Sequence, residues 1–383
     1  MTAGLAILAG LTIPVPSPSV GPVAVHAAPP EDLAGPGSPP AIVVQPDAVI
    51  YEEDVPSFVS RTGSQLTLDG RPFRFTGLNI FNASNLDPTS CWYPWGSGDA
   101  LDTSLTTIGP GQTVFRTWFF QRMATTQTGA RDWSGFEHTL AVAQAHDERV
   151  IVTLGNQWID CEGVGAFFKT EPWYTTGYRQ PAPGLPESYR DWVAEVVARY
   201  RDRGTILAWQ LMNEPSDQIS VTGGCSPTAG ATMHAFAADM AGLVKGLDPA
   251  HLVAVGTVGG GECGTAGADY QTVHGVTGID LCEFHDYSPA SPAMPQHLDL
   301  LRQRIAQCQA IGKPLIVGEA GITVKDAGSL TVRAQLFRTR FNAWFQAGVS
   351  GVLIWDWREP DESQGDSWQL GPGDQALAVL GGV

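Results

Sequence analysis

The sequence predicts an α/β fold, a (β/α)8 TIM barrel preceded by a β-hairpin and an unstructured N-terminal leader or tether. Three observations predict it. Short apolar runs alternate eight times with segments of helical period, the pattern of a parallel sheet wrapped in helices. Most of these runs are continuous, as strands buried on both faces require. Six of the eight end in polar or tryptophan residues, where a barrel keeps its functional groups. An open doubly wound sheet competes, but it usually carries a glycine-rich phosphate turn after its first strand. Here that position reads GLNIFN at 77–82.

Along the chain, residues 5–13 (LAILAGLTI) form an apolar run with a small-residue site at Val25-His26-Ala27. The run is short of the ~20 residues of a membrane span and has the length of a signal-peptide core. No Lys or Arg precedes it. The expected organisation is a signal peptide at 1–27, a Pro/Gly/Ala-rich linker at 28–60 and a catalytic domain at 61–383. The expected location is secreted or cell-envelope associated. Order begins near Ser64, where Asp69-Gly70 between two alternating runs signals a hairpin. The strand candidates are 73–79, 114–119, 150–154, 206–212, 252–256, 280–285, 314–318 and 351–355. The clearest helices are 133–146, 189–201, 228–246, 297–311 and 329–347, with weaker patterns after the first, fifth and eighth strands.

Asp+Glu number 39 against 22 Lys+Arg, which argues against nucleic-acid and anionic-membrane surfaces, both of which need clustered positive charge. Twelve Trp suit a groove for sugar rings as well as a core. Six Cys occur without a CxxC pair, which disfavours zinc and favours up to three disulfides in an exported chain. Their places in the alternation suggest Cys91–Cys161 and Cys225–Cys263 across the loops of one rim, and Cys282–Cys308 between a strand and the next helix.

Two carboxylates stand out at strand ends, Glu214 after the fourth strand and Glu319 after the seventh. Meeting across a barrel mouth, such a pair suits glycoside hydrolysis, one group protonated and the other ionised. Carboxyl groups about 5–5.5 Å apart give retention, and about 6.5–9.5 Å inversion. Around them stand Arg116, Asn156, Trp158, Asn213, His285, Tyr287 and Trp355.

WQLMNEPSD at 209–217 and KPLIVGEAGI at 313–322 resemble the two catalytic motifs of glycoside hydrolase family 5. FRTWFF (115–120), VTLGNQW (152–158), LDPAHLVAVGT (247–257), DLCEFHDYSP (280–289) and GVLIWDW (351–357) match in order around them. The resemblance spans about 64–380 and is closest to the endo-β-1,4-mannanase branch. It departs at Gln157, where that branch usually has Asn, and at Gly-Glu-Ala-Gly 318–321 in place of Gly-Glu-Phe-Gly. The resemblance implies a retaining enzyme with Glu214 as acid/base and Glu319 as nucleophile. It implies that Asn213 binds the sugar 2-OH, Arg116 and Tyr287 hold Glu319 ionised, and His285 orients Glu214 or contacts sugar. Trp355 would floor the cleavage site, with Asn156 and Trp158 lining the groove. The expected substrate is a polysaccharide or oligosaccharide, β-1,4-mannan or a related β-glycan, with a β-glucan or glycolipid as the alternative. The expected protein is a monomer with no cofactor, no metal, no nucleic-acid partner and no membrane span. Trp92, Trp95, Trp173, Trp357 and Trp368 are further candidate sugar platforms. With Glu319 held ionised, Glu214 should be pushed towards protonation.

Overall fold

A computed structural model describes residues 57–382, apart from 87–90, 92–95, 163–167, 291–297 and 359–366. The expected leader and all but the end of the linker lie outside the described residues, as do Trp92 and Trp95. Strand pairing begins at Val59, ahead of Ser64. The strands β1 (Val59–Thr62), β2 (Gln65–Leu68) and β3 (Arg71–Pro72) form an antiparallel sheet. Asp69 and Gly70 join β2 to β3, both at positive φ (51° and 72°), the two-residue hairpin turn that matches strand twist.

Then the alternation runs: β4 (Phe75–Asn79), α1 (Ala100–Ile108), β5 (Val114–Trp118), α2 (Ser134–Ala145), β6 (Arg149–Thr153), α3 (Glu171–Thr175), α4 (Tyr189–Tyr200) and β7 (Ile206–Gln210). It continues with α5 (Ala229–Leu247), β8 (Leu252–Ala254), α6 (Gly267–His274), β9 (Cys282–Asp286), α7 (Asp299–Ala310), β10 (Leu315–Ala320), α8 (Val324–Ala327), α9 (Leu330–Ala347) and β11 (Gly351–Ile354). After β11 the described residues include a 3-10 turn, Gln375–Val379. Strands β4 to β11 are parallel neighbours in one sheet. A bridge between Ala254 and Leu281 joins its two outer strands and closes the barrel. All eight expected strands occur. β8 is shorter than expected because Gly256 turns the chain at φ 96°.

Two apolar layers hold this arrangement. Phe75, Val114, Ile151, Leu207, Leu252, Leu281, Ile316 and Leu353 fill the lower barrel interior, and Val59 and Leu66 of the hairpin join the same cluster. The second layer lies between strands and helices. In α4, Trp192, Val193, Val196, Val197 and Tyr200 recur at helical spacing and are buried. Ser188 caps that helix by accepting from Asp191 N–H. At the upper end of the barrel the interior changes from apolar to polar.

The three disulfides are Cys91–Cys161, Cys225–Cys263 and Cys282–Cys308. The first joins the loops after β4 and β6, the second those after β7 and β8. The third ties β9 to α7, with 6.3 Å between Cα atoms, inside the range a disulfide spans.

Candidate active site

The polar end of the barrel is organised by Arg116 on β5, which is fully buried. Its guanidinium donates to Gln210 Oε1 (2.8 Å), Asn79 Oδ1 (2.9 Å), Glu319 Oε1 (2.7 Å) and Asn213 Oδ1 (2.6 Å). A buried cation needs such a set of acceptors. Glu319 lies on β10 beside a register shift between Val317 and Glu319 in the pairing with β9. Such irregularities re-aim a side chain. Its other oxygen accepts from the Tyr287 hydroxyl at 2.5 Å.

Glu214 follows β7. Its backbone N–H donates to Gly256 O at 2.8 Å, and its φ is 53°. A left-handed conformation is costly for a side-chain-bearing residue before proline. The neighbouring strand accommodates it with glycine: a Cβ on Gly256 would lie 1.6 Å from Met212 O. Glu214 Oε1 accepts from His285 Nδ1 at 2.8 Å and Oε2 from Trp158 Nε1 at 2.8 Å. Asn213 Nδ2 donates to Asn156 Oδ1 at 3.0 Å, and Asn156 is itself held by Glu162 and Asp160. Trp355 is half-buried and stacks on Phe81 at 5.2 Å.

One oxygen of Glu214, one of Glu319 and a ring nitrogen of His285 lie within 4.8 Å of one another. It is the one such group of carboxylate and imidazole atoms among the described residues that a metal ion could bridge. Its atoms are engaged with one another and with Arg116, Trp158 and Tyr287. His285 is pushed up to about 10: burial opposes the charge, but Glu319, Glu214 and Glu283 outweigh it.

The two carboxylates shift in directions that differ from the expectation. Burial raises Glu214, but the hydrogen bond and charge of His285, then Trp158 and Arg116, bring it below the usual carboxylate value. Burial raises Glu319, and His285, Arg116 and Tyr287 do not fully offset it. The sequence-based expectation weighed Arg116 and Tyr287 but left out burial and the imidazolium, which donates its hydrogen bond to Glu214. Tyr287 is pushed well above the ordinary tyrosine range by burial and by Glu319, so its hydroxyl stays a donor.

Of the further tryptophans, Trp173 and Trp357 are buried and belong to the core. Trp368 is 42% exposed and meets Tyr287 edge to face at 5.1 Å, and Trp158 is 41% exposed. Gln157 is fully buried. It accepts from the Tyr174 hydroxyl and Ser216 N–H and donates to Lys169 O, so this departure from the motif supports loops and does not line the groove. Sequence reading missed Asn79, Gln210 and Glu283. Asn79 and Gln210 end strands, and Glu283 precedes His285 by two, so period-two alternation would have put it on the same face.

A family model described as cellulase (glycosyl hydrolase family 5) matches residues 66–360. Mannan endo-1,4-beta-mannosidase 8 of Oryza sativa subsp. japonica is 26% identical over 362 residues, covering 82% of this chain and 91% of the relative. Mannan endo-1,4-beta-mannosidase 7 of the same organism is 27% identical over 369 residues, covering 82% and 89%. Among solved structures, the endo-1,4-beta-mannanase of Rhizomucor miehei aligns with a TM-score of 0.63 at 21% identity, covering 85% of this chain and 97% of that one. The hyperthermostable endo-1,4-beta-D-mannanase of Thermotoga petrophila gives 0.61 at 20%, covering 80% and 98%. At these identities the structural likeness speaks for the barrel fold alone.

Proposed function

Because the chain belongs to glycosyl hydrolase family 5, we propose that it is an exported, retaining endo-β-glycosidase acting on β-1,4-mannan or a closely related β-glycan. The observation that carries the reading is the pair Glu214 and Glu319, oxygens within 4.8 Å, each oriented by its own donors. That closeness lies nearer the spacing of a retaining pair than of an inverting one and supports direct attack. The mannan assignment rests on the names of the relatives, and export on the leader-like N-terminus and the three disulfides.

In the first step Glu319 Oε attacks the anomeric carbon, and Glu214 gives a proton to the leaving oxygen. Glu214 and His285 share a 2.8 Å hydrogen bond. A sugar that displaces water from Glu214 disfavours its charge, so the one proton of the carboxylate pair settles on Glu214 and Glu319 is left ionised for attack, while His285 keeps its own proton. Asn213 meets the sugar 2-OH, an interaction that strengthens as the ring flattens. Trp355 carries the sugar face and Trp158 lines the groove, whereas Asn156, expected to line it too, is fully buried and supports Asn213 from beneath. Once Glu319 is a glycosyl ester it bears no charge, so the pKa of Glu214 falls and Glu214 activates the water that frees the sugar.

A glycan-panel assay with product sizing tests the substrate, and two variants test the roles. Glu319→Ala and Glu214→Ala should fold and lose nearly all turnover. Azide should rescue Glu319→Ala to an α-glycosyl azide and Glu214→Ala to a β-glycosyl azide. Near wild-type turnover by either variant would sink the assignment, and the opposite azide products would exchange the two roles. Release of β-glucan fragments without mannan fragments would move the substrate to the glucan alternative.

A further inference from the structure

A third carboxylate lies beneath the pair, and the reaction scheme above does not use it. Glu283 precedes His285 by two residues on β9, so both side chains face the barrel interior. Glu283 is fully buried. Its Oε1 accepts from Gln210 Nε2 at 2.5 Å and lies 3.4 Å from His285 Nε2. Its Oε2 has no hydrogen-bond partner among the described residues. The chain makes room for this carboxylate at a definite place: a Cβ on Gly318 would lie 1.9 Å from Glu283 Oε1.

The direction of each hydrogen bond follows from the donors. Gln210 Oε1 receives Arg116 Nε and, at 2.6 Å, Thr153 Oγ1. The amide nitrogen of Gln210 must therefore face Glu283. Gln210 is neutral, and the ion-pair partner of Glu283 is the His285 ring. That ring has Glu214 at Nδ1 and Glu283 at Nε2. A neutral imidazole donates from one nitrogen alone, whereas a ring lying between two carboxylates donates from both when it is an imidazolium.

We propose that Glu283 is a positioning residue that fixes His285 as an imidazolium donating from both nitrogens, with Nδ1–H aimed at Glu214. The proposal rests on the reading of Glu214 as acid/base. Other charged groups face the same ring. Glu319 on β10 has its Oε1 3.6 Å from Nδ1, and Glu262 in the loop after β8 acts on it through space. Arg116 on β5 shares Glu319 with it. Burial works against charge on the ring, and the carboxylates of Glu319, Glu214 and Glu283 restore it. Glu283 meets the Nε2 face, away from the two carboxylates of the reaction, so it keeps the ring charged when Glu319 is esterified.

Imidazole nitrogen NMR on the full chain tests this without turnover. In the wild type both nitrogens of His285 should carry protons at pH 7. Glu283→Gln keeps the shape and removes the charge, so the ring pKa should fall by more than one unit, a more than tenfold loss of proton affinity. In the same variant the basic limb of the kcat/KM profile on a manno-oligosaccharide should move to higher pH, because a ring that loses its proton no longer holds the Glu214 pKa down. A bare nitrogen on wild-type His285 at pH 7, an unchanged ring titration in Glu283→Gln, or an unmoved basic limb would each overturn the proposal. The wild-type measurement holds even if the variant does not fold. It is also independent of the Glu214→Ala and Glu319→Ala assays, so the two readings fail separately.

Discussion

Replacing Arg116 by Met probes the charge arrangement most directly. The guanidinium is fully buried and makes four hydrogen bonds, one of them to a buried carboxylate. Met fills much of the volume and supplies no donor. Breaking a buried ion pair by removing one partner costs about 3–5 kcal/mol. In a barrel of this size that lowers Tm by roughly 10 °C. The loss should depend on pH, and its sign follows from the two carboxylates. Glu319 has a raised pKa in the fold, and Arg116 pulls against that rise. A carboxylate with a raised folded pKa contributes stability below its unfolded pKa and loses it as pH rises through the folded pKa. Without Arg116 that pKa goes higher, so Glu319 weighs more heavily against the fold at neutral pH. Glu214 has a lowered pKa in the fold, partly through Arg116. Its contribution is present above the unfolded value and lost as pH falls, and the variant weakens it. Both effects make the deficit largest at pH 7–8. Near pH 4 it should shrink by at least about 1.4 kcal/mol, the equivalent of one pKa unit, leaving the unmet acceptors of Gln210, Asn79 and Asn213. Urea denaturation at the two pH values measures this. The kcat/KM profile should also move to higher pH as a whole, because both members of a coupled pair rise. A deficit that is the same at both pH values, with an unmoved profile and only KM changed, would refute the reasoning and make Arg116 a substrate contact.

Two further outcomes follow from the same geometry. Trp158→Phe removes the Nε1–H donor to Glu214, which lowers its pKa, so the kcat/KM profile should extend to higher pH with the fold intact; an unshifted profile would make Trp158 a platform for sugar alone. Replacing Cys91 and Cys161 by Ser opens a bridge across 70 residues of sequence, and the loss in urea denaturation should reach up to about 4 kcal/mol by loop-closure entropy. Equal stability before and after the double change would show that the bridge does not restrain the unfolded chain.

The barrel was legible because its signals are local. A buried parallel strand reads as an unbroken apolar run, and the helices that cover it carry their own period. Each of the eight strands could be found by itself, and Asp69-Gly70 announced the hairpin. The candidate site residues could be placed for the same reason. Arg116, Asn213, Glu214, His285, Tyr287, Glu319 and Trp355 lie on strands or just past their upper ends, and a barrel brings those ends together whatever its loops do. Two of the cysteine pairs followed from loops on one rim, and the third from a strand and the helix after it. Chain order carried less about the tryptophans, since a helix turn buries Trp173 while the exposed Trp368 reaches Tyr287. Only the tertiary structure decided the charges. The ionisation of Glu214 and Glu319 depends on burial and on distances of 2.5–3.6 Å to groups from four other strands and loops, and through-space electrostatics at that range leaves no mark on sequence spacing. Glu283 illustrates the gap: in sequence it is one acid within a strand, and only the closed barrel sets it beneath His285, against Gln210 and the bare Cα of Gly318.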